Sequence, residues 1–183
     1  MPDLPVETYI SVDIETAGPN PTRYSLLSIG ACTLYPPRQR FYAELQPVNK
    51  RMDPAAFAIH KLSLEELEDR GEPPAEALAR FEAWLASVTP RGNRPIFLAF
   101  NAPFDWMFVC DYFHRFLDRN PFGYAALDIK AFYMGFTGSS WAGTSMDALT
   151  ARYPEIKSLN HHALDDAEDQ ADIFIRLLSE AGM

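Results

Sequence analysis

Tyr9-Ile10-Ser11-Val12-Asp13-Ile14-Glu15-Thr16 is the stretch on which the fold reading turns. Tyr9, Ile10 and Val12 give the segment from Glu7 to Asp13 the composition of a β-strand. Asp13 and Glu15 are two residues apart at its end, so both carboxylates point to one face. A polar strand end exposed to water would accommodate such a pair. Here the flanking Ile10, Val12 and Ile14 imply a central, buried strand. Two carboxylates side by side in such a place repel unless a cation lies between them or one keeps its proton.

Outward from this strand, Gly18-Pro19-Asn20-Pro21 reads as a loop. Leu26 to Leu34 reads as a second strand, Pro36-Pro37 as a turn and Gln39 to Leu45 as a third strand, which together make an antiparallel meander. Ser63 with Glu66 marks a helix start. A further helix begins near Pro73-Pro74, with Ala77, Leu78, Phe81, Trp84 and Leu85 at helical spacing. Pro95 to Phe100 reads as a buried strand. It is followed by a helix that the Asn101 side chain can cap and whose first turn holds Pro103.

Tyr124 to Ile129 is the fifth expected strand, and the glycines from Gly135 to Gly143 mark a flexible stretch. Helices are expected at Ser145 to Arg152 and from about Ala163 to Ala181, the latter with Leu164, Ala167, Ala171, Phe174 and Leu178 as an apolar stripe. The sum is one α/β domain over residues 1–183, with a mixed five-stranded sheet whose three N-terminal strands are antiparallel, flanked by helices.

Composition narrows the function. The chain has 183 residues and a net charge of −9, which argues against gripping nucleic acid through a broad basic surface. It leaves open an enzyme whose carboxylates hold divalent cations, because bound metal inverts the local charge. Cys32 and Cys110 have neither zinc-like spacing nor a disulfide framework, which fits a reducing compartment. Met1-Pro2-Asp3-Leu4-Pro5 lacks the basic and apolar regions of a secretory signal, and no run is long enough to span a bilayer. A cytoplasmic protein without membrane association is expected.

Asp105 falls in the first turn of its helix, where the helix dipole favours a carboxylate by about 0.3–1 kcal/mol. The pattern Asn101-x-x-Phe104-Asp105 after an apolar strand is more specific than either residue alone. Asp165, Asp166, Glu168, Asp169 and Asp172 crowd the last helix, and most of that run reads as a solvated acidic face. Asp166 flanks the apolar stripe and is the expected buried ligand, with Asp165 on the surface. His161, five residues earlier in a loop, suits a general base beside a metal-bound water. Hard oxygen ligands without cysteine suit Mg²⁺ or Mn²⁺, and four carboxylates can hold two such ions for an in-line phosphoryl displacement.

In order along the chain, Asp13-x-Glu15-Thr16, Asn101-x-x-Phe104-Asp105 and His161-x-Ala163-Leu164-x-Asp166-Ala167 resemble the motifs of the DEDDh (DnaQ-like) 3′–5′ exonucleases. That family includes ribonuclease T, oligoribonuclease and the DNA polymerase III proofreading subunit. The resemblance runs from about Tyr9 to Leu178 and implies an RNase H-like fold. It also implies two Mg²⁺ or Mn²⁺ ions on Asp13, Glu15, Asp105 and Asp166, with His161 as the catalytic base. Thr16, Ala17 and Asn101 become candidate substrate contacts, and Phe57 a base-stacking candidate. Relatives that are homodimers make a homodimer an expectation.

Where relatives carry Glu-Thr-Thr-Gly this chain has Glu15-Thr16-Ala17-Gly18 followed by Pro19-Asn20-Pro21, in the loop that helps seat the terminal nucleotide. Arg23, Arg38, Arg40, Arg91 and Arg94 are scattered basic candidates. The leading expectation is a hydrolase that removes nucleoside 5′-monophosphates from the free 3′ end of single-stranded nucleic acid. RNA or short oligonucleotides are favoured over DNA, because no tail or second domain points to a polymerase-tethered proofreader. The alternatives are a catalytically silent module that binds nucleic acid or protein, a DNA proofreading or repair exonuclease, and a phosphodiesterase acting on small nucleotides.

Overall fold

Thr8–Thr16 form β1, the middle strand of a five-stranded sheet. In this computed structural model, which describes residues 7–156 and 161–183, Leu26–Thr33 form β2, Arg40–Glu44 β3, Pro95–Ala99 β4 and Ala126–Asp128 β5. The order across the sheet is β3-β2-β1-β4-β5. β2 pairs antiparallel with both β1 and β3, whereas β4 runs parallel to β1 and β5 parallel to β4. The sequence-based expectation of a mixed five-stranded sheet with three antiparallel N-terminal strands is met. Met1 to Pro5, read above for a signal, lie outside the described residues.

Helices cover both faces of the sheet. They are α1 (Pro54–His60), α2 (Leu64–Arg70), α3 (Pro74–Val88), α4 (Ala102–Leu117), α5 (Ile129–Thr137), α6 (Met146–Arg152) and α7 (Ala163–Ala181). A 3-10 turn at Trp141–Thr144 precedes α6. No helix among the described residues is long and apolar enough to cross a membrane.

The period-2 alternation of β1 divides the core. Ile10, Val12 and Ile14 join Phe81, Phe108 and Phe113 of α3 and α4. On the opposite face Cys32 and Leu98 pack with Ile129, Ile173, Phe174 and Leu177. Burying Ile173, Phe174 and Leu177 is worth about 1.5–3 kcal/mol each. That burial holds the acidic α7 against the face that carries Asp13 and Glu15.

Two local expectations need correction. The stretch Gly135–Gly143 is not open loop. Asp128 caps α5 by accepting the Ala131 N–H at 2.7 Å, Gly135 lies within that helix, and Gly138 terminates it at φ +70°. Ile129, Phe132, Tyr133 and Phe136 supply the helical spacing that the glycines obscured. Asn101 does not cap α4 with its side chain. It adopts left-handed backbone at φ +69°, a conformation that asparagine tolerates better than most residues. This turns the chain sharply from β4 into α4.

Candidate active site

Parallel strands deliver their carboxyl ends to one edge of a sheet, and ligands bind there in open α/β folds. Because β1, β4 and β5 are parallel, that edge gathers Asp13 and Glu15 from β1, Asn101 and Asp105 just beyond β4, and Asp128 from β5. The β1–β2 register shifts between Glu15 and Thr16, at the end of β1, an irregularity of the kind common beside active sites.

The resulting cleft of about 240 Å³ is lined by Asp13, Glu15, Asp105, Asp166 and His161. Thr16, Ala56, Ile59, His60, Phe100, Asn101 and Phe104 form most of its remaining wall. One ligand atom each of Glu15, His161 and Asp166 lies within 4.8 Å of the others. Asp166 is 1% exposed and Asp165 is exposed, as the apolar stripe implied. His161 is exposed, in left-handed backbone at φ +65°, and its N–H donates to Asp166 Oδ2 at 2.9 Å.

Electrostatics single out the cluster. Burial, followed by the charges of Asp166 and Asp105, pushes the Glu15 carboxyl up to about 8. Burial also pushes Asp105 up to about 8, against hydrogen bonds from its own N–H and that of Ile14, with Asp128 adding repulsion. Asp13 is raised well above the usual carboxylate range, first by burial and then by Asp105, Asp166 and Glu15. No lysine or arginine lines the cleft among the described residues. Buried like charges with no basic side chain beside them require protons or a metal cation. Carboxylate oxygens with one imidazole within 4.8 Å fit a divalent cation.

The substrate-side expectations fare unevenly. Thr16 and Asn101 line the cleft. The Thr16 carbonyl accepts from His60 Nε2–H at 3.1 Å, a tautomer fixed because His60 Nδ1 accepts the Leu62 N–H at 2.9 Å. Burial lowers the His60 pKa and keeps that ring neutral. Ala17 is fully buried, its N–H donates to the Ser25 carbonyl and its carbonyl accepts from the Asp53 N–H. Phe57 lies on α1, 45% exposed, beside Ala56, Ile59 and His60, which line the cleft. Arg38 and Arg40 are bound to Asp172 and Glu168 on α7.

Two site-building residues escaped the sequence reading. Gln170, fully buried on α7, donates from Nε2 to Asp13 Oδ1 at 2.6 Å and accepts the Phe100 N–H on Oε1 at 2.8 Å. It ties α7, β1 and the end of β4 together. Gly30 pairs with Asp13 across β1 and β2. A Cβ at Gly30 would stand 2.1 Å from the Ala163 carbonyl carbon, so only glycine lets α7 descend beside Asp13. Glycine inside a strand is the signal for such a close approach.

The sequence matches the exonuclease family (RNase_T) over residues 10–174. It is 44% identical over 169 residues to the 3′–5′ DNA exonuclease Cap18 of Escherichia coli, covering 92% of this chain and 90% of that protein. It is 31% identical to ribonuclease T of Yersinia enterocolitica, over 93% of this chain and 84% of that one. Among solved structures, the nuclease domain of 3′hExo, a DEDDh family member bound to rAMP, superposes with a TM-score of 0.78 at 14% identity, covering 95% and 92% of the two chains. The Escherichia coli ExoI–ssDNA complex does so at 0.71 and 18% identity, over 96% of this chain and 41% of that one. With its ordered carboxylates and histidine, the chain belongs to the exonuclease family as a DEDDh 3′–5′ exonuclease of RNase H-like fold.

Proposed function

We propose that this protein removes nucleoside 5′-monophosphates one at a time from the 3′ end of single-stranded nucleic acid. Asp13, Glu15, Asp105 and Asp166 hold two Mg²⁺ or Mn²⁺ ions, and His161 is the general base. The observation that carries this reading is the convergence of those residues in one cleft with no basic side chain among the described lining residues. When bound, such ions neutralise the phosphate and acidify the attacking water.

The chain's own groups do the rest. His161 stands at the open rim and takes the water proton as the new P–O bond forms in line with the departing 3′ oxygen. The P–O3′ bond breaks, and that oxygen takes a proton from solvent to become the 3′-hydroxyl of the shortened strand. Thr16, held through its carbonyl by His60, and Asn101 in its fixed left-handed turn position the terminal nucleotide. Ile59 and Phe104 provide apolar walls for it. Oxygen ligands that must lose protons make binding pH-dependent and proton-releasing.

Single-stranded DNA is the polymer we assign first, because the 44% relative is named a DNA exonuclease. RNA, favoured from the sequence alone, stays in the test because ribonuclease T stands among the relatives. A cytoplasmic location, supported by the free thiols Cys32 and Cys110, and a homodimer complete the proposal.

The test is to incubate 5′-labelled single-stranded DNA and RNA with Mg²⁺, Mn²⁺ or EDTA. Stepwise shortening from the 3′ end, abolished by EDTA and by His161→Ala, is expected. Internal cuts, or cleavage that persists in EDTA, would refute it.

A further inference from the structure

Lys130 on α5 joins the cleft to an exposed aromatic platform. Its ammonium lies 5.8 Å from the ring centroid of Phe100, a cleft-lining residue, and 4.3 Å from that of Trp141. Trp141 is 58% exposed, unusual for a large ring with no core to join. The ring is mounted on a closed turn: Ser140 accepts the Gly143 N–H, and the Thr144 hydroxyl donates to the Trp141 carbonyl at 2.8 Å. Thr144 is fully buried and anchors that turn. A cation on one face of an indole fixes the ring and leaves the opposite face for another planar group.

Charge selects the occupant. In a chain of net charge −9, most described cations are spent on acids, Arg38, Arg40, Arg80 and Arg119 among them. Lys130 forms no ion pair among the described residues and sits between the cleft wall and Trp141. An aromatic face beside an uncommitted cation is the pairing that holds a single strand by base stacking and phosphate contact without reading sequence.

We propose that Lys130 and Trp141 form a second binding step for the strand, upstream of the nucleotide being removed. A base stacks on the open face of Trp141 and its phosphate meets the Lys130 ammonium. The step continues the cleft along Phe100 and gives an acidic enzyme a grip on strands longer than a dinucleotide. This inference rests on the exonuclease reading above.

KM and kcat are measured for (dT)2 and (dT)10 with wild type, Trp141→Ala, Trp141→Phe and Lys130→Gln. Binding of fluorescent (dT)10 is followed separately by anisotropy with Ca²⁺ in place of Mg²⁺. Wild type is expected to prefer (dT)10 through KM. Trp141→Ala should raise KM and Kd for (dT)10 by about 5- to 150-fold at nearly constant kcat. Trp141→Phe, which keeps a ring, should recover most of that loss.

Lys130→Gln, on a different element, should make the salt dependence of Kd shallower by about 0.7 in log–log slope. Values for Trp141→Ala and Lys130→Gln within twofold of wild type on (dT)10 would overturn the inference and leave the exonuclease reading standing. If wild type turns over neither oligonucleotide, the assignment of DNA as the first polymer falls, while anisotropy still decides whether this surface binds a strand.

Discussion

Replacing Gln170 with leucine separates fold stability from metal affinity. The substitution keeps the bulk but removes both hydrogen bonds, leaving the Phe100 N–H and Asp13 without the amide. A buried donor left unpaired costs about 1–3 kcal/mol. For a domain of this size that lowers Tm by about 3–10 °C. A separate effect of comparable size is expected on the metal. The Gln170 amide favours the ionised form of Asp13, so its loss raises that carboxyl further and frees it to rotate. Loss of a group that orients a metal ligand typically weakens binding about 10- to 100-fold.

Because binding requires Asp13 to shed its proton, the deficit in Gln170→Leu should be larger at pH 6.5 than at pH 9. Calorimetric titration with Mn²⁺ at both pH values, alongside thermal melts in EDTA, reads the two effects separately. Wild-type Mn²⁺ affinity at pH 6.5 in a folded Gln170→Leu protein would refute this account of the amide.

Three further outcomes are expected. His161→Asn should lower kcat by about 10²- to 10⁴-fold while leaving Mn²⁺ affinity nearly intact; a collapse of affinity in the same titration would make His161 a ligand instead of a base. Gly30→Ala drives a methyl into the Ala163 backbone and should cost about 1–3 kcal/mol in a urea melt, with loss of nuclease activity; wild-type stability and activity would show that α7 docks without the close approach. Glu15 and Asp105 are raised from ordinary carboxylate values to about 8, so the protonated forms favour the fold. In EDTA their contribution is therefore complete below about pH 4 and is lost as pH rises to about 8 and beyond. Added Mg²⁺ should stabilise more at pH 9 than at pH 6, and a metal-induced Tm gain that shrinks with rising pH would contradict these shifts.

The strand carboxylates were legible because alternation along β1 fixes which face each side chain takes. The helix α7 was read at its observed bounds, since its apolar stripe is regular and Gly182 stops it at φ +74°. Asp166 was separable from Asp165 on the same stripe. What stayed hidden depended on tertiary contact. The helix α1 buries no residue, so it left no apolar periodicity to read, and its place over the cleft comes from His60 and from the Asp53 N–H on the Ala17 carbonyl. Gln170 was masked by the acids around it in sequence, and only the fold reveals that it points at Asp13. That both backbone groups of Ala17 bond within the fold likewise depends on tertiary contacts, to Ser25 and Asp53.

Anomalous scattering from crystals grown with Mn²⁺ tests the central claim most directly. The account predicts two manganese peaks in the cleft, about 3.5–4 Å apart, bound by oxygens of Asp13, Glu15, Asp105 and Asp166, with the His161 ring outside both coordination spheres. A cleft without manganese, a single ion, or an ion ligated by His161 nitrogen would contradict it.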